Sequence, residues 1–92
     1  MIRSFRHKGL ERYLLKGTKS GIHPQHEQRL GPILGRLQVS LGPRDMNLPG
    51  LALHPVAGPR KGTWAVSISG NRRVTFGFVD RDAFDIDYED YH

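Results

Sequence analysis

The chain is predicted to form an α+β domain in which two N-terminal helices pack on one face of an antiparallel sheet of three to five strands. Three observations predict it. Apolar residues recur at helical spacing only within the first 41 positions. Period-two alternation between turn signals fills most of residues 64–88. No repeat, low-complexity tract or linker divides the 92 residues, so residues 1–92 make a single domain.

Ile2-Arg3-Ser4-Phe5 is expected as a short first strand. From His7 to Lys16, Leu10, Tyr13 and Leu14 share a helical face, and Gly17 supplies a stop. Pro24 suits the first turn of a second helix reaching about Ser40, with Leu30, Ile33, Leu34, Leu37 and Leu41 as its apolar stripe. Pro32 lacks the N–H owed to the Gln28 carbonyl and clashes with it, so a kink or break is expected there. A long connection from Gly42 leads to a strand over Leu51–Val56, which Pro55 assigns to an edge or an end. Trp64–Ser69, the Gly70-Asn71 turn and Arg73–Val79 read as a hairpin. Asp80-Arg81-Asp82 turns into a last strand through Ala83–Tyr88.

The composition narrows the function classes. Without cysteine there is no disulfide and no thiolate metal site, which fits a reducing cytoplasm. No apolar run approaches the ~20 residues that span a bilayer, and no membrane role is expected. The net charge of +5 conceals an asymmetry: six of the nine acids fall in the last thirteen residues. Residues 1–79 carry thirteen Lys/Arg against three acids. Arginine outnumbers lysine ten to four, and its planar fork suits phosphate oxygens. A polyanion, RNA or the ribosome, is the expected partner.

The last three residues, Asp90, Tyr91 and His92, place a carboxylate, a phenol and an imidazole at the end of a strand. These groups suit proton transfer near neutral pH. Internal cleavage of RNA needs a base for the 2′-OH, charge stabilisation at the phosphorane and an acid for the departing 5′-oxygen. His54, beside a basic turn, and His92 are candidates for the proton steps, with Asp90 as their partner or as the base. Tyr91 suits hydrogen bonding or stacking on an unstacked base. Strand alternation sets Tyr91 opposite Asp90 and His92, unless the strand bulges. Arg73 is the candidate clamp on the reacting phosphate, and Arg60, Lys61 and Arg72 are candidate grips on flanking RNA. This chemistry requires no metal and no cofactor. His23-x-x-His26 has ligand spacing but no third ligand, and is read as surface histidines. Gly58-Pro59-Arg60-Lys61-Gly62 lacks P-loop spacing. The basic first helix is read as packing on the sheet rather than lying on a membrane.

Several stretches occur in an order that resembles one family. They are Met1–Phe5 with His7-Lys8-Gly9-Leu10, Asp45–Gly50, Leu53-His54-Pro55, Gly58, Ser69-Gly70-Asn71, Arg73–Phe76 and Tyr88-Glu89-Asp90-Tyr91-His92. Together they resemble the HigB toxins, a branch of the RelE/ParE superfamily, over essentially the whole length. The resemblance implies a RelE-like fold and a ribosome-dependent, metal-free mRNA endoribonuclease. It implies cutting of codons in the decoding site of the small ribosomal subunit. It also implies a cognate HigA-like helix-turn-helix antitoxin. By position, its site would comprise His54, Asp90, Tyr91 and His92, with Arg73 beside them.

Two positions depart from the pattern. Ala57 stands where some relatives carry lysine, and Arg72 where some carry tryptophan. Two rival readings share the fold: a non-catalytic gyrase poison, and a plain RNA- or ribosome-binding module.

Overall fold

A computed structural model describes residues 1–56, 58, 60, 62–70 and 72–90, with Asp90 as backbone only. The expectations placed on Ala57, Lys61, Asn71, Tyr91 and His92 lie outside the described residues. The order is helix α1 (Lys8–Lys16), helix α2 (Glu27–Val39), then strands β1 (His54–Pro55), β2 (Thr63–Ser69), β3 (Arg72–Val79) and β4 (Asp82–Asp90). The four strands form one antiparallel sheet in chain order.

Local chemistry sets the helix ends. His7 caps α1, its Nδ1 accepting the Leu10 N–H at 3.2 Å. Gly17 ends it at φ 70°, a left-handed turn that glycine adopts without strain, and donates to the Tyr13 carbonyl. Pro24 opens a single 3₁₀ turn, Pro24–His26, that leads into α2. The Tyr13 hydroxyl donates to the Glu27 carbonyl at 3.1 Å and ties the two helices. Ser40 closes α2, its hydroxyl returning to the Arg36 carbonyl at 2.6 Å.

Four expectations change in detail. Pro32 does not break α2, which runs through it to Val39. Pro32 is exposed, so water can serve the Gln28 carbonyl that lost its donor. Leu41 falls beyond the helix end and is 62% exposed, so the stripe stops at Leu37. The strand expected over Leu51–Val56 shrinks to His54–Pro55, because Ala52 turns the chain at φ 52°. The expected first strand is reduced to two parallel bridges against the outer edge of β4, Ile2 with Ala83 and Phe5 with Ile86.

The core lies between the helices and one sheet face. Leu10, Leu30, Leu34, Leu37, Ile68, Val66, Val74, Phe76 and Ile86 are fully buried. Each large aliphatic or aromatic side chain contributes about 1.5–3 kcal/mol by leaving water. Arg29 fastens α2 to the sheet, donating to the carbonyls of Ile68 and Gly50. Its charge is thereby committed to the fold rather than to a ligand. No described helix is long and apolar enough to cross a membrane.

Side chains alternate across a strand, and cross-strand partners share a face. Val66↔Val74↔Tyr88 therefore defines the helix side. His54↔Ala65↔Thr75↔Asp87 and Ser67↔Arg73↔Glu89 are neighbouring rows on the opposite side. That second face holds the candidate site.

Candidate active site

His54 enters the sheet as the first residue of its edge strand β1, in the row of Ala65 and Thr75. Its Nδ1 lies 2.8 Å from the Ala52 carbonyl oxygen. A carbonyl only accepts, so Nδ1 carries a proton and donates it to Ala52. The left-handed turn at Ala52 brings that carbonyl round to the ring. The next residue across the row, Ala65, is small and fully buried.

Arg73 stands in the adjacent row, opposite Glu89. Its Nε and Nη2 donate to Glu89 Oε1 at 3.0 and 2.9 Å. Arg60 reaches the same oxygen from the β1–β2 connection, with Nη1 at 2.6 Å, and its Nη2 lies 3.4 Å from Thr75 Oγ1. Two guanidinium groups thus converge on one carboxylate. Partial burial favours the neutral form of Glu89, but the hydrogen bonds and charges of Arg60 and Arg73 outweigh it and hold the carboxyl below its ordinary value. Like-charged guanidiniums repel, so without Glu89 the pair would separate.

Glu89 was not among the candidates read from the sequence. It lies in an alternating acidic strand, and only the β3–β4 register shows that it faces Arg73. Arg60 was a candidate, and it stands beside Arg73, bringing positive charge to the face in a chain with alanine at position 57. Arg72 does not join this group. Its guanidinium carbon lies 5.0 Å from the centre of the Tyr88 ring, on the helix side. The backbone of Asp90 pairs with Arg72, one register step beyond Glu89. The candidates Lys61, Tyr91 and His92 lie outside the described residues.

The end of β4 is braced from behind. His26, expected at the surface, is 5% exposed. It lies between the Tyr88 hydroxyl at Nδ1 and the Ser69 hydroxyl, 2.8 Å from Nε2. The rings of His23 and His7 lie 4.8 Å from His26 and 5.5 Å from Tyr88. Tyr88 precedes Glu89, so this polar link joins the entry to α2 to the strand that carries the Arg60–Arg73 anchor. His23-x-x-His26 has a structural explanation: one histidine caps the 3₁₀ turn and the other braces β4.

Chemically, this face offers an imidazole and a pair of guanidiniums held close together. That combination suits an anionic ester whose charge rises during reaction. Comparison with known proteins points the same way. A family model described as the RelE-like toxin of the type II toxin–antitoxin system HigB matches residues 3–92. Endoribonuclease HigB of Proteus vulgaris is 38% identical over 92 residues, spanning all of both chains.

Proposed function

We propose a function from the premise of membership: the chain belongs to the HigB family of RelE-like toxins of type II toxin–antitoxin systems. It is an endoribonuclease that cuts messenger RNA within codons in the decoding site of the small ribosomal subunit, in the cytoplasm, and so arrests translation. A HigA-like helix-turn-helix antitoxin neutralises it. The relative from Proteus vulgaris, itself called an endoribonuclease, supports the activity. The observation that carries the reading is the convergence of Arg60 and Arg73 on the sheet face that also bears His54.

In this mechanism the 2′-OH attacks the adjacent phosphorus, giving a 2′,3′-cyclic phosphate and a 5′-OH. No metal is needed. His54, His92 and Asp90 share the proton transfers, Tyr91 positions the RNA, and Arg73 with Arg60 stabilises the phosphorane. Aligning the 2′-oxygen with phosphorus and the leaving oxygen is a large part of the barrier. The candidate site brings only a few cations to the RNA, and the ribosome supplies the missing alignment by holding the codon.

Mapping of new 5′ ends on a defined messenger in a purified translation system tests the reading. The expected ends lie within codons and require ribosomes. Intact messenger, with or without translation arrest, would refute it.

A further inference from the structure

The sheet face continues beyond the site just described. On the far side of Thr75 lies a polar trough of about 290 Å³, lined by Arg6, Arg60, Thr63, Thr75, Phe76, Gly77 and Asp85. Its floor exists because Gly77 has no side chain opposite Thr63 in the β2–β3 register. Its outer wall comes from an irregularity between Thr75 and Gly77 in the pairing with β4, where Asp85 adopts φ 55°. Such a bulge commonly re-aims side chains beside a functional site.

The two arginines of the trough differ in their commitments. Arg60 is shared, touching Glu89 and Thr75 on the boundary with the proposed cleavage site. Among the described residues Arg6 is held by its backbone alone, whose N–H donates to the Ile86 carbonyl. Among the described residues its exposed guanidinium has no hydrogen-bond or ion-pair partner. Asp85, bonded to the Ser4 hydroxyl, adds an acceptor at the same end. Two cations, hydroxyls and one carboxylate do not suit a bare anion. They suit a ligand that combines a phosphate with hydroxyl or amino donors.

We infer that this trough is a subsite for the nucleotide next to the cut, with its phosphate between Arg6 and Arg60 and its sugar or base over Gly77. The inference rests on the RNA-cleaving reading and extends it. Single-stranded RNA enters across Arg73, passes Arg60 and Thr75, and is held at Arg6. Arg6 then binds substrate equally before and during reaction, so its loss raises KM and spares kcat.

The test is cleavage kinetics on messenger-programmed ribosomes with Arg6→Gln, Arg6→Lys and Gly77→Val. A Cβ at Gly77 meets only the Gly62 carbonyl at 3.6 Å, an ordinary contact, so the strand accommodates a side chain that intrudes into the trough. Arg6→Gln and Gly77→Val are each expected to raise KM about tenfold with kcat within about twofold of wild type, and Arg6→Lys to recover most of the loss. If Gly77→Val does not fold, Thr63→Leu fills the same trough from β2. An effect of Arg6→Gln without one from the filled trough overturns the subsite and assigns Arg6 to the ribosome surface. Unchanged KM in both variants overturns it while the cleavage reading stands. A wild-type protein that cuts no messenger overturns both.

Discussion

Arg73 and Glu89 face each other across the β3–β4 ladder and are joined through two contacts to one oxygen, Nε at 3.0 Å and Nη2 at 2.9 Å. Arg60 completes the arrangement on that same oxygen. Glu89 therefore holds two cations in the place where the proposed mechanism needs a phosphate held. Replacing Glu89 by glutamine removes a negative charge from the proposed RNA face and loosens both guanidiniums. RNA binding should tighten or hold while catalysis weakens. The expected result is kcat lower by about tenfold with KM unchanged or reduced, read from cleavage on programmed ribosomes.

Arg73→Gln should behave differently, because it removes the charge proposed to meet the phosphorane. A fall in kcat of about 10²–10³ is expected, the size seen when a donor aimed at developing charge is deleted. Circular dichroism should stay native. A change confined to KM would place Arg73 in ground-state binding only.

The Glu89 cluster also makes stability depend on pH. The folded carboxyl sits below its ordinary value, so its ion pairs stabilise the fold fully above the unfolded value and are lost as pH falls through the folded one. Wild type should therefore melt higher than Glu89→Gln near about pH 7, and the gap should close toward about pH 3. Thermal melts of both proteins across that range check the sign. A gap that widens in acid would contradict the assignment.

Tyr88→Phe removes a hydroxyl from a buried histidine without opening a cavity. Losing this hydrogen bond to a buried group costs about 1–3 kcal/mol. For a domain of this size each kcal/mol lowers Tm by about 4–8 °C. The loss should come with partial loss of cleavage, because Tyr88 anchors the end of β4. A variant as stable as wild type would show that the His26 link carries no weight.

Pro32→Ala restores the N–H owed to Gln28 within a helix that already runs through this position. The gain from the added bond and relieved clash exceeds the lost rigidity of the unfolded chain, so Tm should rise. No change in cleavage is expected, because Pro32 lies on α2, across the sheet from Arg73.

The sequence carried the fold well where the signal was local. Leu10, Leu30, Ile33, Leu34 and Leu37 are the helix faces their spacing indicates, and the β2–β3–β4 meander follows its alternation and turns. Pro32 misled because propensity describes an isolated helix, whereas the apolar stripe on either side of it docks on the sheet. Leu41 misled because Ser40 ends α2 before the stripe does. The candidate site was legible as residue types and only partly as geometry. His54 and Arg73 were singled out because imidazole and guanidinium suit phosphate chemistry. That they share a sheet face follows from register, which one residue of slip would reverse. Glu89 was hidden for the same reason, and His26 because a buried histidine and a surface one read alike in a lone His-x-x-His.

The central claim is acid–base chemistry by histidine on RNA, and one measurement meets it directly: the single-turnover rate of messenger cleavage on programmed ribosomes, wild type against His54→Ala combined with His92→Ala. With the fold intact by circular dichroism, the rate should drop by about 10³-fold or more, and the wild-type products should end in a 2′,3′-cyclic phosphate and a 5′-OH. Cleavage by the double variant at a rate near wild type would contradict the account and move the proton transfers to other groups.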